Sequence, residues 1–255
     1  MCMRMGGRSS KGSTKSVSMD GPMKTLHHDL YITTRETGNV TRNIPAYLAR
    51  LEDAVQLRAG ETVAWMNQVH GKTIRYIPTD HPHQISVKEV DGMWTDQEGV
   101  VLVAKTADCG PLFLWNHKAG IVAALHVGWR GFFEGIIEDF AALCGGRGLS
   151  MGDFEAHLGP TLRAPNFEVQ DDFVTQIPGD KLHFLDETDG RKTYDLAAGI
   201  RDVLAKVGVS RLEDCGTDTY CSDQHYSYRK WTQTPKGQRT DSYQIFASAI
   251  VLRSS

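Results

Sequence analysis

The sequence has no CxxC pair, no Walker-type phosphate loop and no dinucleotide-binding glycine fingerprint. Zinc ribbons, thioredoxin-like redox sites and nucleotide-cofactor folds therefore drop out. No apolar run approaches the length of a membrane span; the longest, near Val100 and Ile121, are strand-sized. Charge is not in excess either. With 28 basic against 31 acidic residues the formal net charge is -3, which gives no general pull toward nucleic acid or anionic membranes. Cysteine is scarce, five residues at irregular spacings. Together with the lack of a secretory apolar segment, this argues for reduced thiols in a cytoplasm, not a disulfide framework.

What remains is an ordinary globular composition, 40% hydrophobic and 23% charged, which excludes disordered and fibrous classes. The 255 residues suffice for one large domain, and no linker divides them, so residues 1–255 are expected to form one unit. Residues 1–19 are rich in Met, Gly, Ser, Arg and Lys, with Arg4, Arg8, Lys11 and Lys15 read as a basic loop or tail.

Periodicity indicates an α+β protein. Leu30–Thr34, Val63–Met66 and Thr73–Ile77 read as strands, with His70 at the junction of the last two. Ile44, Leu48, Leu51, Val55 and Leu57 follow a helical period. The continuous apolar runs Val100–Ala104, Leu112–Trp115 and Ile121–Leu125 read as strands buried on both faces. Phe132, Phe133, Ile136, Ile137, Phe140 and Leu143 share one face of a helix that stops at Gly145–Gly146. A second helix is expected from near Leu196 to Val207, and a last strand over Tyr243–Leu252. His81-Pro82-His83 sits in a polar connection and reads as a loop, since Pro82 does not make the rings converge.

The chemistry-bearing residues fall where buried strands end. Asn67-Gln68-Val69-His70-Gly71, Asp108-Cys109-Gly110-Pro111 and His126-Val127-Gly128-Trp129-Arg130-Gly131 offer two imidazoles and one thiolate beside sharp turns. One Cys and two His suffice for a catalytic zinc that keeps an open position. The same residues suit a cysteine nucleophile, Cys109, with His126 or His70 as base and Asp108 orienting the imidazole. Both readings stand on the residues alone. The Gly128–Gly131 turn also leads into a helix start, where Arg130 and free N–H groups suit an anion.

Taken in order, NQVHG, Asp91-Gly92, TADCGPL, HVGWRG, LGPTL, Asn166–Val169, Tyr194–Leu196 and YSYR resemble the laccase-domain family, also called YfiH-like or polyphenol-oxidase-like. The resemblance implies a single α+β domain of mixed sheets covered by helices. It implies one zinc on His70, Cys109 and His126, with copper as the alternative metal, since a thiolate and two imidazoles hold either ion. It implies phosphorolysis of adenosine, inosine or methylthioadenosine, with adenosine deamination at the same site; the partners are a purine nucleoside and phosphate. Copper polyphenol oxidation and editing of peptidoglycan precursors are the alternative activities. Arg130 is the expected phosphate holder, ahead of Arg229 and Arg8. Asp108 is the expected proton carrier for deamination or, equally, the anchor of its own tight turn, while Gln68 is a positioner. Two departures stand out. Thr161 occupies the place where the family commonly has Cys, and the Gly6–Gly12 segment has almost no room before it for the family's first strand. The chain is accordingly expected to begin its fold differently or to have a late start.

Overall fold

The computed structural model describes residues 12–13, 26–37, 51, 53–79 and 83–254. The basic loop or tail of residues 1–19, most of the expected helix around 44–57, and the His81-Pro82 pair lie outside the described residues, apart from the backbone of 12–13.

The described chain opens with β1 (Gly12–Ser13), β2 (Leu26–Ile32), β3 (Thr62–Asn67), β4 (Ile74–Tyr76) and β5 (Gln84–Lys88). It continues through β6 (Gly92–Thr95), β7 (Val100–Thr106), β8 (Gly110–Asn116) and β9 (Ile121–Val127) to α1 (Trp129–Glu134) and α2 (Ile136–Gly145). After β10 (Glu155–Leu158) come α3 (Asp171–Val174), β11 (Leu185–Thr188), β12 (Arg191–Tyr194) and α4 (Leu196–Val207). The last elements are β13 (Arg211–Asp214), α5 (Tyr228–Gln233) and β14 (Phe246–Ser254).

Two six-stranded mixed sheets carry the fold, one ordered β1-β2-β14-β7-β3-β5 and the other β13-β10-β8-β9-β6-β4, with β11-β12 as a separate hairpin. Side-chain alternation explains the layering. Leu102 and Ala104 of β7 meet Phe113, Trp115, Val122 and Ala124 of the second sheet in the core between the sheets. Val101 and Val103 point to the opposite face, onto Leu51 and Val55. Leu112, Leu114, Ile121, Ala123 and Leu125 face the helices, where Phe132, Ile136, Ile137, Phe140 and Ile200 cover them. Each fully buried Val, Leu, Ile or Phe among them contributes about 1.5–3 kcal/mol. The three apolar runs are therefore buried on both faces, as their sequence predicts.

Three departures from the sequence reading are the largest. The single helix expected over 132–143 is two, because Gly135 adopts the left-handed conformation at φ 90° and starts α2 in a new direction. The second strand begins at Leu26, four residues earlier than expected, with His27, His28 and Asp29 paired to Arg253, Leu252 and Val251 of β14. The final strand starts only at Phe246, while Tyr243 turns aside to pack edge-on to Tyr228 and Trp231. The Leu196–Val207 helix is as expected, with the Asp195 carboxylate accepting from the Ala198 amide and Gly208 ending it at φ 94°.

Cys109, Cys144 and Cys215 carry free thiols.

Candidate metal centre

The connection from β7 to β8 crosses from one sheet to the other, and Cys109 sits on that crossing. Asp108 takes φ 99° to make the turn, a strained conformation for a residue with a side chain. Its bonding holds it there. The Asp108 carboxylate accepts from Thr219 Oγ1 at 2.6 Å and from the Arg229 amide at 2.6 Å. Its carbonyl accepts from Thr161 Oγ1 at 2.7 Å and from the Leu162 amide at 2.8 Å. Thr161 is thus a clamp on this turn. Burial pushes the Asp108 carboxyl above its ordinary pKa, against the opposing bonds from Thr219 and Arg229.

His126 is the next-to-last residue of β9 and, in alternation with Val122 and Ala124, faces the side between the sheets. His70 lies in the loop after β3 at φ 61°. Gln68 extends the ladder beyond β3: its amide nitrogen donates to the Lys105 carbonyl at 2.7 Å, and its amide oxygen accepts from the Lys105 N–H at 3.0 Å. Gln68 therefore positions the backbone that leads to His70.

These three elements converge. The ligand atoms of His70, Cys109 and His126 all lie within 4.8 Å of one another, and among the described residues they are the one group placed to share an ion. His70 is exposed, Cys109 half-buried and His126 buried, so the cluster opens to solvent on one side. The two imidazole rings are 5.0 Å apart and nearly perpendicular. Burial opposes charge on Cys109, but His126 and His70 outweigh it and hold the thiol below its usual range. Burial likewise opposes charge on His126, and Cys109 and Asp91 raise it above the ordinary histidine value. The thiol is thus disposed to be a thiolate, the form that ligates metal.

Glycine makes the convergence possible. A Cβ on Gly128 would stand 3.2 Å from both Cys109 Sγ and His70 Cδ2, and 3.8 Å from His126 Cε1. A Cβ on Gly131 would overlap the Gly71 carbonyl oxygen, so α1 packs directly on the backbone of the His70 loop. The donor set, its spacing and this floor of bare backbone fit a single soft or borderline cation.

Asp91 has no role that the sequence alone predicts. It is fully buried, and its carboxylate accepts from three successive amides, Val69 at 3.2 Å, His70 at 2.9 Å and Gly71 at 2.7 Å. It also accepts from His126 Nδ1 at 2.8 Å. The one available signal was the Asp-Gly pair: a Cβ on Gly92 would meet Ile74 Cγ1 at 2.7 Å and Leu125 Cδ2 at 2.8 Å.

The two arginines differ. Arg130 is exposed at the start of α1 and lies 4.2 Å over the Trp129 ring. The helix behind it spans only Trp129–Glu134, shorter than the continuous helix expected from the sequence. The Arg229 guanidinium instead donates to the carbonyls of Asn166 at 3.2 Å and Glu168 at 2.8 Å, tying two loops together. Arg8 lies outside the described residues. Met66 and Met93, the methionines nearest the motifs, are fully buried in the core between the sheets.

A family model described as multi-copper polyphenol oxidoreductase laccase matches residues 20–242. A purine nucleoside phosphorylase of Mycobacterium tuberculosis is 31% identical over 191 residues, covering 73% of this chain and 74% of that protein. A purine nucleoside phosphorylase of Rickettsia prowazekii is 24% identical over 238 residues, covering 90% and 94%. Among solved structures, YfiH of Bacillus licheniformis matches with a TM-score of 0.75 at 18% identity, covering 92% of this chain and 98% of that one. YlmD of Geobacillus stearothermophilus gives 0.72 at 23% identity, covering 91% and 92%. The two solved structures share the fold. Among the described residues, no helix is long and apolar enough to cross a membrane.

Proposed function

The chain belongs to the multi-copper polyphenol oxidoreductase laccase family, and from that premise we propose that it is a zinc-dependent purine nucleoside phosphorylase. The observation that carries this reading is the convergence of His70, Cys109 and His126 in a chain whose relatives include proteins named for that activity. The three side chains would hold the ion, which when bound supplies Lewis acidity beside the substrate. His70, being exposed, is the side from which a nucleoside approaches. Arg130 is the residue we assign to phosphate; its exposed guanidinium is planar and braced against Trp129, which limits the freedom lost on binding an anion.

Adenosine, inosine and methylthioadenosine are the nucleosides proposed, with adenosine deamination as a second, slower activity. Both Asp108 carboxylate oxygens are engaged by Thr219 and Arg229. This supports Asp108 as the anchor of the Cys109 turn over Asp108 as the proton carrier, and it is why deamination is expected to lag. Copper oxidation of phenols is the second reading, favoured by the thiolate and two imidazoles and by the family's description. Against it, Met66 and Met93, the methionines beside the motifs, pack into the core between the sheets, so neither offers the axial thioether a blue-copper site wants.

Chromatography of inosine incubated with the zinc-loaded protein tests the proposal. Hypoxanthine and ribose-1-phosphate should form only when phosphate is supplied. Equal cleavage without phosphate would move the protein to the hydrolases, and phenol oxidation by copper-loaded protein without any nucleoside cleavage would favour the second reading.

A further inference from the structure

We propose that Asp91 is the positioning residue that assembles the metal centre, holding both histidines through one carboxylate. The inference rests on reading His70, Cys109 and His126 as a metal site, and not on which substrate that site takes.

Three successive amides that converge on one point form an anion-binding concavity, usually filled by a ligand. Here the anion is part of the chain. Oδ2 of Asp91 takes the Val69 and Gly71 amides, and Oδ1 takes the His70 amide. That arrangement is what lets His70 stay at φ 61°, a conformation most side chains avoid. Without the carboxylate the three N–H groups would point at one another's space with nothing to accept them. The loop would relax and His70 would leave the cluster.

The same Oδ1 accepts from Nδ1 of His126. The carboxylate already accepts from three N–H groups, so the His126 contact is completed by a hydrogen on Nδ1, which leaves Nε2 as the nitrogen able to ligate. Asp91 therefore sets the tautomer of one ligand and the backbone of the other with one group. Its own main chain is fixed on both sides. Its amide donates to the Thr73 carbonyl at 3.0 Å, and its carbonyl accepts from the His126 amide at 2.6 Å. Both histidines reach the cluster only when Asp91 is in place. The residue couples the loop after β3 to the end of β9, while Cys109 enters on a separate turn.

Zinc affinity of Asp91→Asn, measured by competition with a chromophoric chelator, tests this directly. The amide nitrogen must face either a loop N–H or His126 Nδ1, so affinity should fall about 10- to 100-fold. A merely structural Asp91 would lower the melting temperature of the metal-free protein and leave the zinc dissociation constant of the folded variant unchanged. That outcome overturns the proposal. Nitrogen NMR of the zinc-loaded wild type serves as the second arm if the variant does not fold. Zinc on His126 Nε2 with a slowly exchanging Nδ1 hydrogen is expected; zinc on Nδ1, or a Nδ1 without a hydrogen, overturns it.

Discussion

Replacing Gly128 by Ala adds one methyl group directly beneath the metal-binding side chains. The backbone there, at φ -80° and ψ 162°, is open to any residue, so the substitution introduces no conformational strain. Ala is a poorer residue than Gly at a helix start, which costs the fold well under about 2 kcal/mol. The main effect is local. The new carbon would stand 3.2 Å from Cys109 Sγ and from His70 Cδ2, so each must retreat by a few tenths of an ångström. Cys109 is pinned by the clamped Asp108 turn, and His70 by Asp91, so neither retreats freely. Overpacking of this kind costs about 1–3 kcal/mol. Most of that penalty falls on the geometry the ion needs, so zinc affinity should drop roughly 10- to 100-fold, at about 1.4 kcal/mol per tenfold. Chelator competition reads the affinity, and thermal melting of the metal-free protein reads the fold. A Gly128→Ala variant that binds zinc as tightly as the parent would refute the view that bare backbone forms the floor of the site. Gly131→Ala should be worse for the fold itself, because its Cβ meets a backbone oxygen and no side chain can yield.

Arg130→Ala should raise the phosphate concentration needed for half-maximal phosphorolysis by tenfold or more (about 1.4 kcal/mol or above); an unchanged phosphate dependence would place the anion elsewhere. Asp108→Asn should keep both zinc and deamination, since the amide can still accept from the Arg229 N–H and donate to Thr219 Oγ1; single-turnover loss of inosine formation at full zinc content would make Asp108 the proton carrier after all. Burial lowers the pKa of His28 to about 3, where it stacks on Trp115 and hydrogen-bonds His117 at 2.9 Å. The unfolded chain binds this proton from near pH 6.5 downward and the folded chain does not, so stability should fall as pH drops from 6.5 toward 3. His28→Phe should flatten the slope in that window by up to about 1.4 kcal/mol per pH unit; denaturant midpoints at pH 7 and pH 4.5 that shift equally in both proteins would contradict the buried neutral imidazole.

The three apolar strands are legible because residues buried on both faces leave an unbroken run, as Val100–Ala104 does. Their ends are legible to within two residues, which is why the sequence alone places His126 and Cys109 near strand termini. Short strands are not: β5 alternates as Gln-Ile-Ser-Val-Lys but spans only five residues at a sheet edge, and β6 is only four residues long. The break at Gly135 is invisible because the apolar face continues across it, from Phe132 to Phe140. Asp91 carries no local pattern at all. A buried carboxylate is defined by its partners, and these come from a loop about twenty residues before it and a strand 35 residues after it. Gly128 and Gly131 look like turn residues in the sequence, whereas one of them is needed for the close approach of three side chains and the other for that of a backbone carbonyl.

The most direct test of the account is to strip the protein of metal and follow ribose-1-phosphate formation from inosine and phosphate while zinc is added back. The rate should rise from near zero and saturate at one zinc per chain in the wild type, and Cys109→Ala should neither retain zinc nor recover activity. Full phosphorolysis by the metal-free protein, or a Cys109→Ala variant that binds one zinc and turns over normally, would contradict it.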